Sequence, residues 1–144
     1  IEDALAKGAR LLAGGLSDST QMRATLLDGV TREMRIWHEE SFGPVKSIIR
    51  VKDEAEALAV ANESEYGLSS AIYSRDSARA WNLAQNLQTG ICHINGPTVH
   101  DEAQMPFGGC KSSGYGRFGG RAGIAEFTEL RWITLQTVPR ELPF

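Results

Sequence analysis

The chain has 144 residues, 42% of them hydrophobic and 23% charged, with a formal net charge of −3; this is the composition expected of a globular domain with a core of its own. The lack of a basic excess argues against nucleic acid as a partner, and no apolar run approaches the roughly 18 residues of a membrane-spanning helix. Two cysteines do not make a disulfide framework, which fits a reducing, cytoplasmic setting.

The opening stretch, IEDALAKGARLLAGG, has neither a basic leader nor a cleavage pattern. It begins with Ile in what reads as mid-helix, so a fragment or a processed product is expected. Ile1, Leu5, Gly8 and Leu12 fall near helical spacing, with Gly14-Gly15 as the stop. ATLLDGV (24–30) reads as a short strand and a turn, and the β-branched VKSIIRV (45–51) as a strand. Asp53 and Glu56 have capping-box spacing ahead of a helix over EAEALAVAN (54–62), with Ala55, Leu58 and Ala59 on one face. LSSAIYS (68–74) reads as the next strand. A helix over 76–88 follows, turning Ala80, Leu83, Ala84 and Leu87 inward and ending at Gly90. ICHIN (91–95) is the third strand of this run.

The connections have the length that parallel crossovers need. The expected fold class is therefore α/β, a parallel βαβαβ sheet with flanking helices. Ligands in such sheets gather at the carboxyl ends of the strands, which points to the loop after Asn95. RWITLQTV (131–138) reads as a strand apart from this run, and a lone strand needs a partner sheet.

Several constellations carry potential chemistry. Cys92-His93, with His100-Asp101-Glu102 nearby, has zinc-binding residue types, but neighbours on a strand face opposite sides and cannot converge on one ion. No metal is expected. Cys110 beside Lys111 has the setting of an activated thiol, with His93 or His100 as a base; sequence adjacency alone argues little for it, because such partners are normally distant in sequence. HEESFGPV (38–45) sets two carboxylates ahead of Phe42, Gly43 and Pro44, where a rigid turn could present an acid to a ribose diol and a ring to a nicotinamide. Taken alone, a solvated acidic turn with Phe42 in the core is the simpler reading. PFGGCKSSGYGRFGG (106–120) packs six glycines into fifteen positions and matches G-x-G-x-x-G at 114–119. The preceding Cys110-Lys111-Ser112-Ser113 reads as loop, and no acid stands about 20 residues on, so the context of a dinucleotide cradle is missing.

The segments EESFGPV, ANESEYGLSSAIYSRD, GICHIN, MPFGGCKSSGYGRFGG and EFTELRWITLQ occur in the order and spacing of the NAD(P)-dependent aldehyde dehydrogenases. The chain resembles the C-terminal third of such an enzyme along essentially its whole length. HINGPTVHDEAQMPFGG is most similar to the branch that oxidises aromatic aldehydes such as salicylaldehyde, vanillin or benzaldehyde.

The resemblance implies that residues 1–130 belong to the catalytic and cofactor-contacting region and 131–144 form an oligomerisation strand and tail. It implies NAD or NADP as cofactor, with Glu40 on the nicotinamide ribose hydroxyls and Phe42 against the nicotinamide. Asn95 would anchor the loop after its strand, while Val99, His100 and Phe107 would line or approach the aldehyde tunnel. The glycine-rich stretch would cap the substrate side, with the pyrophosphate bound elsewhere. The family's chemistry is a cysteine thiohemiacetal that loses hydride and a thioester hydrolysed by glutamate-activated water. Its nucleophile and base would lie upstream of Ile1, and Cys92 and Cys110 do not stand where the family attacks. The expectations are thus an aldehyde-oxidising oxidoreductase when whole, inactive as this piece, forming a homodimer or homotetramer through strand 131–138. The alternative is a non-catalytic interaction module derived from that family.

Overall fold

The computed structural model describes residues 1–141 and Pro143. Its elements in chain order are α1 (Glu2–Ala6), β1 (Arg10–Ala13), β2 (Thr25–Asp28), α2 (Arg35–His38), β3 (Val45–Ile48) and α3 (Glu54–Glu63), then β4 (Tyr66–Gly67), β5 (Ser69–Ile72), α4 (Ser77–Ala84), β6 (Ile91–Ile94), β7 (Cys110–Lys111) and α5 (Gly120–Glu126). Among the described residues no helix is long and apolar enough to cross a membrane.

The first helix is shorter than its apolar spacing suggests, and Gly8 is the reason. Gly8 sits at φ 99. The N–H of Ala9 donates to Ala4 O (2.9 Å) and that of Gly8 to Leu5 O (3.1 Å), the paired bonds of a Schellman stop. Leu11 and Leu12, expected on the helix, instead lie on β1, which runs antiparallel to β2. On the other side β2 pairs in parallel with β3, from Thr25↔Val45 to Asp28↔Ile48. The core gathers on this sheet: Ala4, Ala9, Leu27, Val30, Met34 and Val45 pack together, with Leu5, Ile36 and Trp37 against them. Leu27 is fully buried, which contributes about 2 kcal/mol.

The expected continuous βαβαβ sheet is divided. β5 and β6 form a parallel pair, from Ser69↔Ile91 to Ile72↔Ile94, joined through α4. β3 lies in the other sheet, paired to β2. Crossover length was compatible with a β3–β5 neighbourhood, but strand pairing is non-local, and here β2 takes an edge of β3.

The helices follow their caps more closely than their apolar patterns. Asp53 accepts from the N–H of Glu56 (2.8 Å), while Glu56 accepts from Lys52 N (2.8 Å), one residue before the cap. No residue of α3 is buried; of the expected inward face only Leu58 is half-buried, Ala55 and Ala59 being exposed, while Ala57 and Val60 are half-buried instead. In α4, Ala80 is fully buried and Leu83 and Ala84 are half-buried, as is Leu87 beyond the helix end. That helix ends at Ala84. Gly90 has a packing role: a Cβ there would fall on the carbonyl of Gly108.

Cys110-Lys111, read as loop, is the short strand β7, antiparallel to β4 through Tyr66↔Lys111 and Gly67↔Cys110. Residues 131–138 form no strand; their large apolar side chains are exposed and lie outside the core. Leu142 and Phe144, within the tail expected at 131–144, lie outside the described residues.

Candidate functional site

The residues singled out by the sequence separate into two clefts and one clamp. The first cleft, about 790 Å³, opens between α1 and the turn joining α2 to β3, and both Glu40 and Phe42 line it. The turn is held at its far end, where Pro44 O accepts from Thr25 N (2.8 Å) just before β3 starts. Glu39 and Glu40, adjacent and chemically identical, have different surroundings. Glu39 is gripped through both oxygens by Arg35, at 2.7 Å each, and that hydrogen bonding holds its carboxyl below the ordinary value. Glu40 has no hydrogen-bond partner among the described residues, so its oxygens are open to a ligand. Its charge reaches Tyr66, whose hydroxyl is raised first by Glu65, then by burial, then by Glu40.

Phe42 is 94% exposed, which corrects the reading that placed it in the core. A bare aromatic ring beside an unpaired carboxylate is a donor set that fits a nicotinamide riboside: acceptor oxygens for two ribose hydroxyls and an apolar face for the ring.

The second cleft, about 410 Å³, lies beside β6, and His100 and Phe107 line it. Phe107 is fixed by a two-way backbone bridge to Phe118, at 2.8 and 2.7 Å. His100 packs edge-on against His93, with ring centroids 5.5 Å apart, and its Nε2 lies 3.5 Å from a Glu102 carboxylate oxygen. Val99 lines neither cleft and is 91% exposed. Asn95 stands at φ 58; its Oδ1 accepts from Ser74 N (2.8 Å) and its Nδ2 donates to Ser74 O (2.9 Å). It thereby ties the ends of β5 and β6 together, and so fixes where the loop toward His100 begins.

Sequence reasoning preferred a packed or capped imidazole for His93 over a metal ligand, and weighed it otherwise as a base for Cys110. The structure places its ring in the second cleft, with Nε2 buried and unpartnered among the described residues. The alternation of Ile91-Cys92-His93-Ile94 assigned His93 a side of the strand, but which side carries the cleft depends on the loop that returns over it.

The thiol-nucleophile arrangement is not assembled. Cys110 Sγ lies against carbonyl oxygens, 3.1 Å from Gln88 O and 3.5 Å from Gly67 O. The Lys111 ammonium is engaged elsewhere, donating to Asn62 O (2.8 Å) and Ser64 O (2.9 Å). In the glycine-rich loop, Gly114, Gly116 and Gly119 all have positive φ, and α5 starts at Gly120. A Cβ on Gly116 would meet the Glu126 carboxylate at 2.7 Å, and Glu126 also accepts from Arg117 N (3.2 Å). A carboxylate thus occupies the loop, where a phosphate would meet like charge.

Comparison with known proteins agrees with the motif order. Residues 1–133 match the model of the aldehyde dehydrogenase family. The vanillin dehydrogenase of Pseudomonas fluorescens is 62% identical over 143 residues, covering 99% of this chain. The crystal structure of a salicylaldehyde dehydrogenase from Pseudomonas putida G7, complexed with salicylaldehyde, superposes with a TM-score of 0.92 at 50% identity over 99% of this chain. A Mycobacterium tuberculosis aldehyde dehydrogenase complexed with NAD+ does so with a TM-score of 0.81 at 34% identity over 89% of it. The chain spans about 30% of the length of the vanillin and salicylaldehyde relatives and 27% of the NAD+ complex. On this match of sequence and fold, the chain belongs to the aldehyde dehydrogenase family.

Proposed function

We propose that this chain is the C-terminal, cofactor- and substrate-contacting part of a dehydrogenase that oxidises an aldehyde, aromatic in particular, to its carboxylic acid with NAD or NADP. The observation that carries the reading is the unpaired Glu40 carboxylate beside the exposed Phe42 ring on one rigid turn. Glu40 would hold the ribose diol and Phe42 would lie against the nicotinamide ring. A bound nicotinamide supplies the hydride acceptor. The part of this chain is to fix its distance and face toward the aldehyde carbon, where small displacements matter greatly to rate.

The second cleft would take the organic part of the aldehyde, with Phe107 as a fixed wall and His100 at its edge. The attacking cysteine and the glutamate that activates water would be supplied from outside this chain, with the covalent thiohemiacetal and thioester formed on that cysteine. Similarity to vanillin and salicylaldehyde dehydrogenases supports the aromatic class. The whole protein would act in the cytoplasm as a homo-oligomer.

The test is Glu40→Gln in the full-length protein, followed by pre-steady-state NAD(P)H formation from benzaldehyde and its deuterated form. Hydride transfer is expected to slow about 10- to 100-fold, with a larger isotope effect. Glu39→Gln removes only an exposed ion pair and is expected to change the rate less than about twofold. Equal, small effects of the two substitutions would refute the assignment.

A further inference from the structure

We propose that His93 is a specificity-determining residue that hydrogen-bonds a ring hydroxyl of a phenolic aldehyde; this rests on the aldehyde reading above. His93 lines the 410 Å³ cleft beside β6. Its Nε2 is cut off from solvent and has no hydrogen-bond partner among the described residues. A buried ring nitrogen without a partner is costly, and such an atom in a cleft marks a place where a ligand's polar group gains affinity.

The remaining lining narrows the ligand's chemistry. Met105 and Phe107 supply apolar and aromatic surface suited to a flat ring. Asp101 and Glu102 line the same cleft, so an aldehyde carrying a carboxylate would meet like charge. A neutral hydroxyl suits His93 whichever tautomer it holds, because a phenol both donates and accepts.

His100 completes the arrangement. Its ring stands edge-on to His93 at 5.5 Å, on a stretch without regular structure, and its side chain is half exposed.

The experiment uses the full-length enzyme and measures kcat/KM for ortho-, meta- and para-hydroxybenzaldehyde against benzaldehyde. His93→Leu is expected to lower kcat/KM for the preferred hydroxylated isomer about tenfold or more beyond whatever it loses on benzaldehyde. His93→Gln, which keeps a hydrogen-bonding group, is expected to recover most of that loss. Equal losses on all substrates, or unchanged kinetics on the hydroxylated ones, would overturn the role of His93. Wild-type turnover of the four aldehydes is the reference: its absence on all of them would refute the aldehyde reading itself, whereas turnover with equal losses refutes only the inference about His93.

Discussion

Arg35 takes Glu39 in a two-pronged grip and leaves Glu40 free, so one side chain decides which of two identical carboxylates can serve a ligand. Asp28 shows a related principle in the framework. Its side chain is fully enclosed, with Arg50 donating at 3.0 and 2.9 Å and Arg10 closing on the same oxygen. Hydrogen bonds from Arg50 first and Arg10 second lower its pKa to about 2, against about 3.9 in an unfolded chain. A depressed carboxyl contributes stability that is fully present above the unfolded value and lost as pH falls through the folded one. The urea midpoint of the intact protein is therefore expected to fall between about pH 4 and pH 2. Asp28→Asn should lower the midpoint at pH 5 and flatten that fall. Asp3, Glu33, Glu39 and Glu63, also held below their ordinary values, keep a residual slope. An unaltered slope in the Asn variant would show that the two arginines do not stabilise the charged form.

Among the elements, the helices with acidic caps were the most legible, because a cap is a contact between residues three apart. Asp53 and Asp76 each accept from the backbone N–H three residues on, at 2.8 and 3.0 Å. Asp53→Ala is expected to cost about 1 kcal/mol, read from urea unfolding of the intact protein. Asp53→Asn should recover most of it, and equal losses in both variants would assign the effect to charge rather than to the cap. α1 was misread because Gly8 counted as a member of an apolar stripe when it was the stop. β7 was missed because two residues hold no periodicity; only pairing with Tyr66-Gly67 makes Cys110-Lys111 a strand.

From Phe127 to Val138 the chain carries a run of exposed large apolar side chains among the described residues. Trp132 is 90% exposed, and Leu130, Ile133 and Leu135 are exposed beside it. Exposed apolar side chains of this number need a covering surface; the proposal is that 131–138 packs onto a neighbouring subunit. Replacing Trp132 and Leu135 together by Ser in the full-length protein is expected to convert the oligomer to a smaller species in sedimentation velocity. An unchanged mass would remove the segment from the interface.

Local contacts wrote the legible part of this protein. Capping pairs and β-branched runs act over a few residues, so the starts of α3 and α4 and the positions of β3, β5 and β6 could be read directly, while the roles of Glu40 and Phe42 came only from the family resemblance. Motif order gave the family. What could not be read were arrangements set across long separations: β2 beside β3, and the packing that leaves Phe42 outside the core. The buried, unpaired Nε2 of His93 belongs to the same class. Its surroundings come from a loop returning over β6, and no residue pattern on that strand records which of its two faces the loop will cover.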